Sequence, residues 1–173
     1  MADKELILVR HAKSSWGDVD LDDHDRPLNR RGECNAPEMG VRLAGTGVRP
    51  QAMFTSTAVR AATTAEIIAE AFGFPQDEIV REPGLYHAGV ADWLTWITGL
   101  DNAWNTVMAF GHNPGITELV AGVWGLPVQN VPTCGVVSLR FEISEWEKTT
   151  TRKPAVALFD YPKNEKETFE RLL

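Results

Sequence analysis

Four residues whose side chains carry or can carry positive charge lie at or near the ends of short apolar segments. Arg10 and His11 close the first segment, His112 follows a later one, and Arg60 comes shortly after a third. Guanidinium groups can hold phosphate oxygens through paired hydrogen bonds, and a neutral imidazole is a competent nucleophile towards phosphorus. A second imidazole, when protonated, can stabilise charge on the equatorial oxygens. These residue types therefore indicate phosphoryl transfer, provided that the four side chains meet.

The order of the secondary-structure elements predicts that they do meet. Residues 5–10, 52–55 and 106–110 are apolar runs, typical of strands that are buried on both faces. In parallel α/β sheets, ligands bind beyond the carboxyl ends of the strands. If the three strands are parallel, the four residues lie together at one edge of the sheet, in a protein whose formal net charge is −7.

The position of Arg60 gives separate support for an anion at that edge. If Ser56 or Thr57 caps the helix that follows residues 52–55, Arg60 lies in the first turn of that helix. A cation in this turn faces the positive end of the helix dipole, which is mildly unfavourable. A bound anion would reverse the sign, and free N–H groups make helix N-termini ready anion sites.

The rest of the chain predicts an α/β layer fold with a mostly parallel sheet followed by an antiparallel strand pair. The segment from Lys13 to about Asn29 has five aspartates and no period, so it is predicted to be a long functional loop. The other predicted elements are a helix to about residue 44 that starts late or bends at Pro37, helices at 58–72 and 90–97, a strand at 78–82, a helix capped by Asn113 with Pro114 first, paired strands at 137–143 and 155–161, and a short helix at 165–173.

Composition and charge exclude several classes of function. The net charge of −7 makes general affinity for nucleic acid or anionic membranes unfavourable. Cys34 and Cys134 are far apart in sequence, which argues against a disulfide framework and a zinc site. The chain shows no P-loop, no metal-binding aspartate pair at a strand end, no signal peptide and no membrane-length apolar run. We therefore expect a cytoplasmic protein without a metal or other cofactor.

Four segments resemble the motifs of the histidine phosphatase superfamily, which includes the cofactor-dependent phosphoglycerate mutases. They are residues 8–14 (LVRHAKS), 28–32 (LNRRG), 54–65 (FTSTAVRAATTA) and 111–115 (GHNPG). The short length and the His-Asn-Pro-Gly form are most similar to the small SixA-type phosphohistidine phosphatases. The resemblance implies one domain over residues 1–173, built as a three-layer αβα sandwich.

The resemblance also implies roles for individual residues. His11 would be the phosphorylated nucleophile, and Arg10, Arg60 and His112 would form the phosphate pocket. The candidate substrate-binding residues are Lys13, Ser14, Asn113 and His87. Substrate selection would fall to the loop at 13–25 and to the segment around 86–96.

The sequence departs from the family pattern at the place of the general acid. His87 stands where the mutases have a glutamate; Ala12 and Gly17 replace the usual Gly and Asn. An alkoxide leaving group needs a proton in the transition state, whereas an imidazole leaving from an N–P bond can be protonated beforehand. The departure therefore favours a phosphohistidine-type substrate. His87, Asp18, Asp22 and Glu82 stay open as candidate acids, as does the absence of any acid.

The sequence thus predicts a phosphatase that acts through a phosphohistidine on His11, with a phosphohistidine protein or a small phosphorylated molecule as substrate. One alternative is a mutase-like enzyme or a sugar or small-molecule phosphomonoesterase. Another is a non-catalytic module that binds phosphate or phosphoproteins. The sequence does not reveal the oligomeric state.

Overall fold

A single mixed sheet runs through the protein, whose computed structural model describes residues 3–165 and 168–173. Within these residues the sheet has the strand order β3-β2-β4-β1-β5-β6-β7. The strands are β1 (Lys4–Arg10), β2 (Ala52–Thr55), β3 (Val80–Arg81), β4 (Thr106–Gly111), β5 (Val136–Phe141), β6 (Val156–Asp160) and β7 (Glu170–Arg171).

The sheet is parallel in one half and antiparallel in the other. β1, β4, β2 and β3 run parallel to one another, whereas β5, β6 and β7 each pair antiparallel with their neighbour. The prediction of a mostly parallel sheet is therefore only partly confirmed. The predicted antiparallel pair is confirmed as β5 and β6, but β5 also pairs antiparallel with the central strand β1 and so extends the antiparallel half inwards.

Helices lie on both sides of this sheet, as the predicted three layers require. They are α1 (Arg30–Gly45), α2 (Val59–Phe72), α3 (Val90–Thr98) and the short α4 (Gly115–Glu118), which continues as a π-helical turn at Leu119–Val123. α1 begins at Arg30, well before Pro37, so the late start is excluded; the side chain of Asn29 caps it by accepting from the N–H of Gly32. α4 begins at Gly115, two residues after the predicted cap Asn113.

The C-terminal segment differs from its prediction. Instead of a helix at 165–173, residues 168 and 169 form a turn and β7 pairs with β6. Lys166 and Glu167, which the predicted helix included, lie outside the described residues. Without β7, β6 would be the edge strand and would leave backbone groups unpaired, so the pairing satisfies the backbone of both strands.

Two apolar clusters hold the sheet from its two faces. Alternate residues of β1 point to opposite sides: Leu6 and Leu8 belong to the cluster shared with α3 and α4, and Ile7 and Val9 to the cluster shared with α1 and α2. All four side chains are completely buried. The carboxyl end of β1 is therefore fixed in position, and so are the residues that follow it. In the described part of the chain, no helix combines the length and apolarity that crossing a bilayer requires.

Candidate active site

A cavity of about 340 Å³ opens at the carboxyl ends of the parallel strands. All eight residues that the sequence predicted as catalytic or substrate-binding line it. The lining among the described residues is Arg10, His11, Lys13, Ser14, Trp16, Asp23, Arg26, Arg60, His87, His112, Asn113 and Thr133. The juxtaposition expected from the strand order is thus present in the fold.

Hydrogen bonds to three segments hold the backbone of His11 and Ala12 at the end of β1. The N–H of His11 donates to the carbonyl of Gly111 at 3.0 Å, and its carbonyl accepts from the N–H of Cys134 at 3.0 Å. The next N–H, of Ala12, donates to Oγ1 of Thr64 on α2 at 2.9 Å. The backbone of the candidate nucleophile is therefore tied to β4, to the loop before β5 and to α2.

The hydrogen bond of the His11 ring determines which nitrogen is free. Nδ1 lies 2.7 Å from the carbonyl oxygen of Ala12. A carbonyl can only accept, so Nδ1 carries the proton and Nε2 of the neutral ring keeps its lone pair. Burial, with the nearby positive charges of Arg60 and Arg10, lowers the pKa of His11 to about 4. The ring is thus neutral at pH 7 and has a nucleophilic Nε2.

His112 lies beside His11, with ring centroids 5.1 Å apart. Its Nε2 is 2.8 Å from Oγ of Ser56, and its Nδ1 is buried without a hydrogen-bond partner among the described residues. Burial lowers the pKa of His112 to about 3, and so does repulsion from Arg60 and from His11 when the His11 ring is itself protonated. A dianion next to the His112 ring would oppose the burial and charge effects and favour its protonated form.

The two arginines reach the cavity from different elements. Nη1 of Arg10 donates to the carbonyl of Val131 at 2.9 Å, which holds that side chain across the strand end. Arg60 lies in the first turn of α2, as predicted, although the cap is Ala58 instead of Ser56 or Thr57. Its side chain is only 4 % exposed, so its charge acts in surroundings with little screening.

Asp23 is the partner of Arg60, and the sequence reasoning did not identify it. Its carbonyl accepts from Nη1 of Arg60 at 2.6 Å and its Oδ2 from Nη2 at 3.0 Å. Oδ2 also accepts from the hydroxyl of Tyr86 at 2.7 Å, and Oδ1 from Nε of Arg26 at 3.1 Å. Although burial acts to raise the pKa of Asp23, these hydrogen bonds and the charge of Arg60 hold it well below its usual range. Asp23 is therefore an ionised carboxylate that is paired with Arg60 and Arg26.

Arg26 was also missed, and it organises the loop between β1 and α1. It donates to Oγ of Ser14 at 2.8 Å and to the carbonyl of Ser15 at 3.1 Å. The ring of Trp16 lies over its guanidinium at 3.5 Å, with Trp16 itself 76 % exposed. The only sequence signal for Asp23 and Arg26 was their spacing of three within a loop that has five aspartates.

The candidate substrate-binding residues differ in whether their polar groups already make hydrogen bonds within the protein. Lys13 is exposed and makes no side-chain hydrogen bond or ion pair within the described chain. Asn113 uses its amide internally, since Nδ2 donates to the carbonyl of Val131 at 3.0 Å and Oδ1 accepts from Oγ1 of Thr117 at 2.9 Å. Ser14 accepts from Arg26. Of these three, Lys13 has the side chain best able to contact a substrate.

Only one of the four candidate acids lines the cavity. His87 lies 3.8 Å from Oδ2 of Asp23, with its side chain 68 % exposed. Asp18 accepts from the N–H of Asp20 within its own loop, and Glu82 accepts from the N–H of Gly84. Neither of them nor Asp22 is part of the lining.

No group of three or more His, Cys, Asp or Glu side chains within residues 3–165 and 168–173 is arranged to hold a metal ion. The metal-independent reaction stays a prediction.

Comparison with known proteins places this site in a family. Residues 6–96 match the model of the histidine phosphatase superfamily, branch 1. The chain belongs to the histidine phosphatase superfamily. An uncharacterised chloroplastic protein of Arabidopsis thaliana is 31% identical over 84% of this chain and 70% of its own length. This extends the similarity well beyond the segment that the family model covers.

Two further comparisons indicate which members this histidine phosphatase is similar to. A solved structure from Agrobacterium tumefaciens, provisionally described as the phosphohistidine phosphatase SixA, has a TM-score of 0.72 and 29% identity and covers 80% of this chain and 92% of its own. A 2,3-bisphosphoglycerate-dependent phosphoglycerate mutase from a Chelativorans species is 34% identical over 50% of this chain and 43% of its own length. Family and neighbours support phosphatase activity, and the fold of this chain is phosphoglycerate mutase-like.

Proposed function

We propose that this histidine phosphatase hydrolyses a phosphorylated substrate through a covalent phosphohistidine on His11. The observation that carries the proposal is the hydrogen bond from Nδ1 of His11 to the carbonyl of Ala12 at 2.7 Å, which leaves the lone pair on Nε2. Arg10, Arg60 and His112 line the same cavity and supply the positive charge that a phosphoryl group requires.

The reaction has two displacement steps at phosphorus. In the first, the Nε2 lone pair of His11 forms a bond to phosphorus while the bond to the leaving group breaks. An imidazole leaving group is already protonated at this point, whereas an ester oxygen takes its proton from His87. In the second, a water oxygen attacks phosphorus, the N–P bond breaks and inorganic phosphate leaves. The proton that the water loses replaces the one that the first leaving group carried away. His11 returns to its neutral state with the same tautomer, since Nδ1 keeps its hydrogen bond throughout.

His112 contributes when the phosphate dianion is bound. In the free protein its low pKa keeps the ring neutral. A dianion that compensates the charge of Arg60 makes protonation of His112 favourable, and the imidazolium then stabilises the equatorial oxygens. The proton on His112 therefore arrives together with the substrate.

The acidic groups of the cavity favour a leaving group that needs no strong acid. Asp23 is held ionised by its hydrogen-bond donors, so it is a poor proton donor in this arrangement. His87 is the one remaining candidate in the lining. A phosphohistidine substrate suits this site, because its imidazole leaving group can be protonated before the N–P bond breaks. A small phosphomonoester is the second candidate, with His87 as its proton donor.

The covalent intermediate is the direct test of the proposal. Incubation with a chromogenic aryl phosphate, followed by rapid quenching, should trap a phosphoryl group that is labile in acid and stable in alkali. His11→Ala should abolish both the trapped group and turnover while phosphate binding stays measurable. His24→Gln is the matched control, since His24 bonds to Oγ1 of Thr57 and lies outside the lining.

The outcomes separate the candidate functions. A non-catalytic phosphate-binding module gives no trapped group in any variant, and full turnover in His11→Ala contradicts the nucleophile. The ratio of kcat/KM for a phosphohistidine peptide to kcat/KM for a phosphoserine peptide distinguishes the two substrate classes. We expect this ratio to exceed one and to rise further in His87→Ala, because only the ester depends on that proton donor.

A further inference from the structure

A second cavity of about 190 Å³ adjoins the candidate active site. Lys13 and Thr133 line both cavities, so the two share a wall. The described residues that line the second cavity are Lys13, Arg31, Asn35, Pro132, Thr133, Tyr161, Pro162 and Lys163. Among the described residues it holds three cations and no carboxylate, in a protein with 24 acidic and 17 basic residues.

In the part of the chain that the structure describes, the three cations of this cavity have no internal partner. Lys13, Arg31 and Lys163 make no side-chain hydrogen bond or ion pair within residues 3–165 and 168–173. Arg26 and Arg60 in the first cavity contrast with them, because both pair with Asp23. Arg31 also lies in the first turn of α1, where the helix dipole makes a cation unfavourable and a bound anion favourable.

The walls that carry these cations are held in place. The turn that carries Lys163 is tied to the fully buried Asp160, whose Oδ1 accepts from the N–H of Tyr161 at 2.9 Å and from Nδ2 of Asn164 at 3.0 Å. Arg31 and Asn35 are four residues apart on α1 and so lie on the same face of the helix.

The backbone of Lys13 is equally constrained. Its carbonyl accepts from the N–H of Asn29 at 2.9 Å, and a Cβ on Gly32 would lie only 2.2 Å from that oxygen. The close approach of α1 to Lys13 therefore requires glycine at position 32. The cations thus extend from backbone that the fold positions.

We propose that the cavity lined by Lys13, Arg31, Asn35 and Lys163 is a second anion subsite, which binds a negatively charged group of the substrate beside the phosphoryl group. This inference rests on the proposed function, because the molecule that binds the subsite is the substrate of that hydrolysis. The preference of the cavity for a second negative charge can nevertheless be measured without turnover. The second anionic group can be another phosphate of a small molecule or an acidic side chain near the phosphorylated residue of a protein. Both supply the same chemistry to Arg31 and Lys163, and the experiment distinguishes them.

The test compares substrates that differ only in the second charge. The small-molecule arm uses monophosphates and bisphosphates of straight-chain diols with three to six carbons. The protein arm uses phosphohistidine peptides with glutamate or glutamine at the flanking positions. In the variant Arg31→Gln/Lys163→Gln, the ratio of kcat/KM for the doubly charged substrate to kcat/KM for its singly charged partner should fall about tenfold. The loss should lie in KM, and added salt should reduce the preference of the unmodified protein.

The matched control removes the same charges elsewhere. Arg30→Gln/Lys153→Gln changes one residue of the same helical turn and one exposed lysine outside both cavities, and it should keep the ratio. An equal fall in this control, or no preference in either arm, overturns the subsite. Preference in one arm only supports the subsite and identifies the source of its ligand.

A binding measurement keeps the subsite separate from the proposed function. Calorimetric titration of His11→Ala with the same diol phosphates requires no chemistry at phosphorus. The subsite is supported if bisphosphates bind more tightly than monophosphates and Arg31→Gln/Lys163→Gln removes that difference. If the unmodified protein at the same time shows no turnover, the proposed hydrolysis fails while the subsite remains supported. Equal binding of monophosphates and bisphosphates overturns the subsite whatever the turnover shows.

Discussion

His11 and Asp23 reach the same cavity from two different kinds of structure. His11 follows a strand whose interior side chains are completely buried, and main-chain hydrogen bonds to two other segments fix it there. Asp23 lies in the loop between β1 and α1, and hydrogen bonds from the side chains of Arg60, Arg26 and Tyr86 hold it. The strand end is positioned by the apolar core, whereas the loop is positioned by charge.

The two regions should therefore respond differently to the arrival of a phosphoryl group. Moving the backbone of His11 would disrupt the centre of the sheet. Moving Asp23 breaks only polar contacts at a side chain that is 40 % exposed, and a phosphate dianion can replace those contacts at Arg60. The comparison indicates a rigid nucleophile opposite a carboxylate that competes with the substrate for the same guanidinium.

Arg60→Ala should have the largest effect, because Arg60 connects the two regions. Removing this buried positive charge from the cavity should lower kcat/KM by about 10²–10³-fold, as for other preorganised electrostatic groups. Steady-state kinetics with an aryl phosphate measures this loss. Arg60→Lys keeps the charge but cannot make the paired hydrogen bonds of a guanidinium, so it should recover only part of the activity. A loss of less than about fivefold in Arg60→Ala would mean that Arg60 serves the loop and not the phosphoryl group.

The neutral histidines predict how stability depends on pH. The folded protein lowers the pKa of His11 to about 4, below the ordinary value of about 6.5 that the unfolded chain keeps. The unfolded state therefore binds more protons between these values, and the free energy of unfolding falls as the pH drops from about 6.5 towards 4. Between about pH 7.5 and 5, His11 should account for about 2 kcal/mol of this loss.

Urea unfolding of the unmodified protein and of His11→Gln at both pH values measures that contribution. The variant should lose less stability on acidification, since it no longer carries the group that must stay neutral. Inorganic phosphate should reduce the loss in the unmodified protein, because an anion in the cavity favours the charged rings. The same pH slope in both proteins would contradict the buried neutral His11.

The sequence predicted the strand-end region well for a physical reason. An apolar run that ends in Arg10-His11 combines a burial signal with a chemical signal in adjacent residues, and the parallel order then fixes where they meet. The direction of β5 has no such local signal. Whether it lies parallel or antiparallel to β1 depends on the path of the connection after α4, so the parallel share of the sheet was overestimated.

The loop was predicted only as a loop, because aperiodic polar residues carry no information about their partners. Asp23 differs from its four neighbouring aspartates through Arg60 and Tyr86, which are 37 and 63 residues away in sequence. The prediction of a helix at 165–173 was wrong for a related reason. β7 forms because the edge of β6 is available for pairing, and the composition of the segment carries no signal of that. The single domain over residues 1–173 and the cytoplasmic location stay predictions.

The smallest expected effect belongs to Asp23→Asn, and it distinguishes a competing carboxylate from a supporting one. If the Asp23 carboxylate competes with phosphate for Arg60, a neutral amide should lower the inhibition constant of inorganic phosphate severalfold, because the anion no longer displaces a charged partner. If Asp23 instead holds Arg60 in position for the substrate, the same variant should raise that constant and lower kcat. Asp22→Asn, which removes an adjacent exposed carboxylate outside the cavity, should change neither value. The inhibition constant and kcat are measured at several salt concentrations. An effect of the general change in charge is screened at high ionic strength, whereas the replacement of Asp23 by phosphate at the buried Arg60 is not, so the two effects can be separated.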